Sequence, residues 1–136
     1  MARYKLSKRS RARLAGVHPD LVKVVERAIE ITEVDFAVLE GRRSIERQRA
    51  LVEAGASQTL DSRHLTGHAV DLGAWVDGAT RWDWPLYHRI AHAMRQAAAE
   101  FGTPITWGGD WSSFRDGPHF ELPRAVYPAR HSEDAA

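Results

Sequence analysis

The chain predicts an α+β fold, and three features of the sequence carry that expectation. Two segments place apolar residues at helical spacing, several short apolar runs end at glycine, and hairpin-length turn signals lie between them. With 136 residues there is room for one substantial core but not two. A hydrophobic share of 43% and a charged share of 27% are ordinary for a globular chain.

Each element follows in order. Arg3, Lys5, Lys8, Arg9, Arg11 and Arg13 precede the first acid, Asp20, and form a basic arm expected to be solvated and partly disordered. Pro19-Asp20 then opens a helix, with Asp20 as its N-cap. Leu21, Val24, Val25, Ala28 and Ile29 follow the i, i+3, i+4, i+7, i+8 spacing of one buried face. The run from Asp35 to Glu40 reads as a strand ending at Gly41. Ser44 caps a second helix from about Ile45 to Ala54, stopped by Gly55.

From Ala56 to Thr66 the chain is polar and loop-like, after which Ala69 to Leu72 reads as a short strand. Asp77-Gly78 is a turn signal. Asp83 and Pro85 open the longest helix, which runs to about Phe101 with Leu86, Ile90, Met94, Ala97 and Phe101 on its buried side. Gly102 and Pro104 end it. Ile105 to Trp107 and His119 to Leu122 are strands separated by a loop rich in Gly, Ser and Asp.

Composition narrows the function. The chain has no cysteine, so disulfides and thiolate sites are excluded, and a metal site must use His and carboxylates. Such ligands suit zinc in an open catalytic site better than in a closed structural one. Net charge is +1, so the molecule as a whole is no polyanion binder. No apolar run approaches the roughly 18 residues of a membrane span, and the basic N-terminus lacks the apolar stretch of a secretory signal. The basic arm is the sole feature favouring nucleic acid, no recognition motif accompanies it, and nucleic acid is not an expected partner.

Two segments place metal-binding residue types beside glycine at strand edges: Ser62 to Asp71, holding His64, and Asp116 to Leu122, holding His119. His64, Asp71 and His119 would supply the three protein ligands of an open zinc site. Asp116, three residues before His119, could take a proton from an activated water and hand it to a leaving amine. Spacing alone leaves two readings open, a ligand set or polar loop surface.

The pattern of Ser62, His64, Gly67, Ala69 and Asp71, followed by Asp116 and His119, resembles the D-Ala-D-Ala carboxypeptidase-like zinc peptidases. That family includes vancomycin-resistance peptidases and the L-alanyl-D-glutamate endopeptidases of bacteriophage endolysins. The segments Gly16 to Leu21, Glu40 to Arg43 and Trp107 to Trp111 look like the phage and prophage endolysins in particular. The resemblance implies a Hedgehog/D-Ala-D-Ala-peptidase-like fold, with a small antiparallel sheet packed with helices. It implies Zn²⁺ on His64, Asp71 and His119, with Asp116 as catalytic acid/base. The shorter Asp116 departs from the Glu of carboxypeptidase members and is similar to the phage endopeptidases. The family's arginine aligns better with Arg43 than with its neighbour Arg42. It would hold a substrate carboxylate or stabilise the oxyanion, against a plain surface ion pair as the alternative. Ser62 would bind substrate, orient His64 or simply cap the loop.

The implied activity is zinc-dependent hydrolysis of peptidoglycan stem peptides at the L-Ala–D-Glu bond, by a monomer. A D-alanyl-D-alanine carboxypeptidase and a catalytically silent wall-binding module on the same fold are the alternatives. Residues 1–15 are the basic arm, 16–128 the catalytic domain and 129–136 a tail. Lacking a signal peptide, such a protein is expected to be made in the bacterial host cytoplasm and to reach the wall after membrane permeabilisation.

Other candidates have plainer readings. His68 is taken as a non-ligand. His88 and His92 share one helical face, but Arg89 stands where a zincin needs Glu, so both are read as solvated. Asp110 ranks behind Asp116 as a base, with loop capping its expected work. Glu121 is read as an outward residue or a partner for an imidazole. Trp75, Trp107 and Trp111 could wall a cleft, with core the default.

Overall fold

Helical amphipathicity and strand alternation sort the chain into a helical layer on one face of a sheet. The computed structural model describes residues 3–57, 59, 61–113 and 115–128. Its helices are α1 (Lys8–Arg13), α2 (Pro19–Ile31), α3 (Ile45–Glu53) and α4 (Trp84–Phe101). Its strands are β1 (Phe36–Glu40), β2 (Ala69–Val76), β3 (Ala79–Arg81), β4 (Thr106–Trp107) and β5 (His119–Glu121). This is the α+β architecture expected, and the proposed tail at 129–136 lies outside the described residues.

The sheet runs β1-β2-β5-β4, with β3 also paired to β2 and every pairing antiparallel. Register decides which side chains share a face. Val38 pairs with Leu72, Phe36 with Ala74 and Val70 with Phe120, so these apolar residues lie together on one face. Asp71 pairs with His119 and Ala69 with Glu121 on the opposite face. A bulge between Val38 and Glu40 sets Glu40 opposite Asp71 as well. One side of the sheet is therefore core, and the other is the floor of a polar site.

The core face is covered by α2 and α4, which pack on each other. Leu21, Val24, Val25 and Ala28 of α2 are wholly buried, with Ile90, Ala91, Met94 and Ala97 of α4 almost equally so. Each large apolar side chain so buried contributes about 1.5–3 kcal/mol over its exposed state. The helical face expected from Leu21 to Ile29 is the one observed.

Four details correct the expectations. The basic arm is not a solvated tail: residues 8–13 form α1, and Leu6 and Leu14 join the core. Ser10 of α1 is buried, its hydroxyl accepting from the Val38 amide at 3.0 Å. The cap of α2 is His18, whose Nδ1 accepts from the Asp20 amide at 3.1 Å, while Asp20 itself accepts from the Tyr127 hydroxyl at 2.7 Å. Phe101 is not on the buried side: it is 48% exposed, while Ala97 and Ala98 one turn before it are buried. The strand at Ala69 extends to Val76, and the Asp77-Gly78 turn, with both residues at positive φ, folds β3 back onto it. Ser44 caps α3 as expected, accepting from the Arg47 amide.

Candidate metal centre

The polar face of the sheet brings distant residues together by register. Asp71 and His119 sit opposite each other on β2 and β5, and His64 is carried in by the 3-10 turn Arg63–Thr66 that leads into β2. Ser62 caps that turn, its hydroxyl accepting from the His64 amide at 3.2 Å. Gly67 ends it in a left-handed conformation, pressed against the Gly16 carbonyl where a Cβ would collide.

Each imidazole is oriented from behind. His64 Nδ1 donates to the Gly41 carbonyl at 2.8 Å, which turns its Nε2 lone pair inward. Gly41 must be glycine, since a Cβ there would strike the Arg13 carbonyl oxygen of α1. His119 Nε2 donates to Glu121 Oε1 at 2.8 Å, which turns Nδ1 inward. Both inward nitrogens, His64 Nε2 and His119 Nδ1, lie 3.2 Å from Asp71 Oδ1. One ligand atom from each of the three residues falls within 4.8 Å of the other two.

The electrostatics fit a cation. Burial works to raise the Asp71 carboxyl, but hydrogen bonds from His119 and His64 outweigh it and hold the group well below the usual carboxylate range. Burial likewise works to lower His119, but Asp71 and Glu121 outweigh it and push the imidazole up to about 9. Two imidazole nitrogens and one carboxylate oxygen are the donor set of an open zinc site.

The site opens onto a cleft of about 740 Å³ that Asp116, Arg43, Ser62, Trp111 and Arg115 also line. Asp116 is fixed through its amide, which donates to the Gly108 carbonyl at 3.0 Å. Its carboxyl is raised by burial and by repulsion from Asp71, with His119, His64 and Arg43 opposing. A raised carboxyl suits a group that must both take and return a proton. Arg43 is nearly buried: it is paired with Glu40, its Nη1 donates to Gln48 Oε1 at 2.7 Å, and its Nη2 stands 3.7 Å from Asp71 Oδ2. Arg42 is exposed and does not line the cleft, so geometry favours Arg43 of the two.

Across residues 1–133 the sequence matches the model of the phage L-alanyl-D-glutamate peptidase family. The chain belongs to that family. It is a peptidase accordingly. The L-alanyl-D-glutamate peptidase of Escherichia phage T5 is 33% identical over 134 residues, spanning 96% of this chain and 97% of its own. The enzyme of the same name from Listeria phage A118 is 38% identical over 93 residues, covering 68% of this chain and 32% of its own. Among solved structures, the L-Ala D-Glu endopeptidase ChiX of Serratia marcescens superimposes with a TM-score of 0.88 at 51% identity, covering 93% of this chain and 96% of that one. The vancomycin-resistance D,D-dipeptidase VanXYg shares the fold at a TM-score of 0.53 and 23% identity, over 78% of this chain and 50% of its own. The D-Ala-D-Ala-peptidase-like fold is therefore that of this peptidase.

The remaining candidates separate cleanly. His68 lies outside the three-ligand cluster, and its imidazole is lowered to about 4 by burial first and then by Arg63, His18 and Arg124. His88 and His92 are exposed on α4, His88 packing edge-on to Trp107. Asp110 is exposed and paired with Arg95, away from the cleft lining. Glu121 is the imidazole partner rather than an outward residue. Of the tryptophans, Trp107 is core, Trp111 sits beside His119 in the cleft and Trp75 is exposed on β2.

Two contributors went unread in the sequence. Gln48, the buried residue of α3, holds Arg43 and donates to Ser57 Oγ at 2.9 Å. In sequence it is one polar residue among many on a helix of polar composition, with no signal to mark it. The second is Arg115, whose one signal in the sequence is that it is a cation next to a candidate base, Asp116.

Proposed function

We propose that this peptidase is a zinc-dependent endopeptidase that hydrolyses the L-Ala–D-Glu bond of peptidoglycan stem peptides. The observation that carries the reading is the convergence of His64, Asp71 and His119 on one point of a cleft that also holds Asp116. The names of the phage T5 relative and of ChiX support the choice of bond.

His64 Nε2, Asp71 Oδ1 and His119 Nδ1 would hold the ion. A bound zinc supplies a Lewis acid for the scissile carbonyl and acidifies water from a pKa of 15.7 towards about 7. Asp116 accepts the proton of the attacking water and delivers it to the departing amine nitrogen. Arg43 presents positive charge where the carbonyl oxygen becomes negative, held in place by Glu40 and Gln48. Ser62 fixes the turn that aims His64 and lines the substrate cleft. No helix among the described residues is long and apolar enough to cross a membrane. On this reading the chain acts on the wall as a monomer, once the host membrane is breached.

Digestion of purified peptidoglycan, followed by mass spectrometry, tests the reading. New D-Glu amino termini, abolished by a chelator and restored by zinc, are expected. Release of a terminal D-Ala alone would instead mark a carboxypeptidase, and no cleavage at all a silent wall-binding module.

A further inference from the structure

A glutamyl residue continues a peptide through one of its two carboxyls and keeps the other as a free carboxylate. On the leaving side of an L-Ala–D-Glu bond, that anion must be received near the group that protonates the departing amine. Asp116 has that work in the reading above, on which this inference rests.

The cleft holds five arginines, and three have their terminal nitrogens engaged by the protein itself. Arg43 is tied to Glu40 and Gln48, whereas Arg47 is exposed, its Nε 3.8 Å from Glu40, and among the described residues no hydrogen bond or ring holds its fork in place. Arg63 donates to the Leu122 and Tyr127 carbonyls, and Arg124 pairs with Asp61 at 3.0 Å. Arg115 differs. Its Nε donates to the Gly109 carbonyl at 3.0 Å, and its guanidinium lies 4.4 Å from the centroid of the Trp84 ring. Among the described residues, neither terminal nitrogen meets a protein acceptor. The planar group is held by one edge and one face, with its forked end open, which is the preorganised form of a carboxylate receptor.

We propose that Arg115 binds the free carboxylate of the glutamyl residue on the leaving side of the scissile bond, and so sets the preference for glutamate there. The backbone link to Asp116 places anion receptor and proton donor on one short segment, and Trp84 at the start of α4 braces it.

Steady-state kinetics on two soluble stem peptides test the assignment, one with the glutamyl carboxylate free and one with it amidated. The zinc-loaded wild type should cleave the amidated peptide with kcat/KM lower by roughly 10- to 100-fold, the worth of one charge-assisted pair. Arg115→Gln removes the charge; it should show that same loss on the free peptide and little further loss on the amidated one. Titration of a D-Glu-initiated product peptide, followed by tryptophan fluorescence, reads the same contact without turnover and should weaken in parallel. Wild-type indifference to amidation, or equal losses on both peptides, overturns the role of Arg115 alone. Failure of the wild type to cleave either peptide overturns the endopeptidase reading and this inference with it.

Discussion

His119 Nδ1 and Asp71 Oδ1 stand 3.2 Å apart across a single antiparallel register pair, with Glu121 gripping the far nitrogen of the same imidazole. The ring is thus set by a strand neighbour two residues on, and that neighbour determines which nitrogen is free for a metal. Glu121→Gln should lower zinc affinity by about 10- to 100-fold while leaving the fold intact. Dialysis against buffered zinc, with metal content read by mass spectrometry, checks this, and His119→Ala in the same experiment should retain no stoichiometric zinc.

In the mechanism proposed above, Asp116 moves protons without holding the metal. Asp116→Asn should therefore cut kcat by roughly 10²- to 10⁴-fold with zinc content unchanged. Parallel loss of metal would show that the carboxylate is a ligand and would move it out of the acid/base role.

Gly41 couples α1 to the site, since its carbonyl orients His64 while its α-carbon faces the Arg13 carbonyl. Gly41→Ala should destabilise the protein by about 1–3 kcal/mol through overpacking. Urea unfolding of the variant beside the wild type measures this, and zinc affinity should fall with it because the backbone shift that relieves the clash displaces the carbonyl that orients His64.

The lowered imidazole of His68 makes a pH prediction with a definite sign. Between its ordinary value of 6.5 and the native value of about 4, the unfolded chain binds a proton that the native chain refuses. The stability difference is therefore fully in the native state's favour above pH 6.5, shrinks as pH falls from there to about 4, and is constant below. His68→Asn should flatten this part of the acid limb. Urea midpoints at pH 7 and pH 4.5 compare the two proteins, and equal slopes would contradict the shift.

Much of this is legible in the sequence, for identifiable physical reasons. The α2 face was readable because helical period maps directly onto burial from Leu21 to Ile29. His64, Asp71 and His119 were legible through motif resemblance, whereas spacing could not reveal that β2–β5 register makes two of them neighbours. Ser10 and Leu14 were hidden among arginines, whose charge dominates a local reading although α1 packs on β1. His18 rather than Asp20 is the cap because the helix starts at Pro19, which puts Asp20 inside the first turn, where its carboxylate accepts from Tyr127 far along the chain. Gln48 was unreadable because a buried hydrogen-bond hub and a solvent-facing amide look alike in one dimension.

The seating of α1 beneath Gly41 bears on engineering. Trimming the leading segment to shorten an antibacterial fusion would take away a wedge that backs the loop aiming His64, together with the core side chains Leu6 and Leu14, so a shortened enzyme should be less stable and should hold a cation less well. A wall-targeting partner is better joined where it leaves residues 6–14 free to seat.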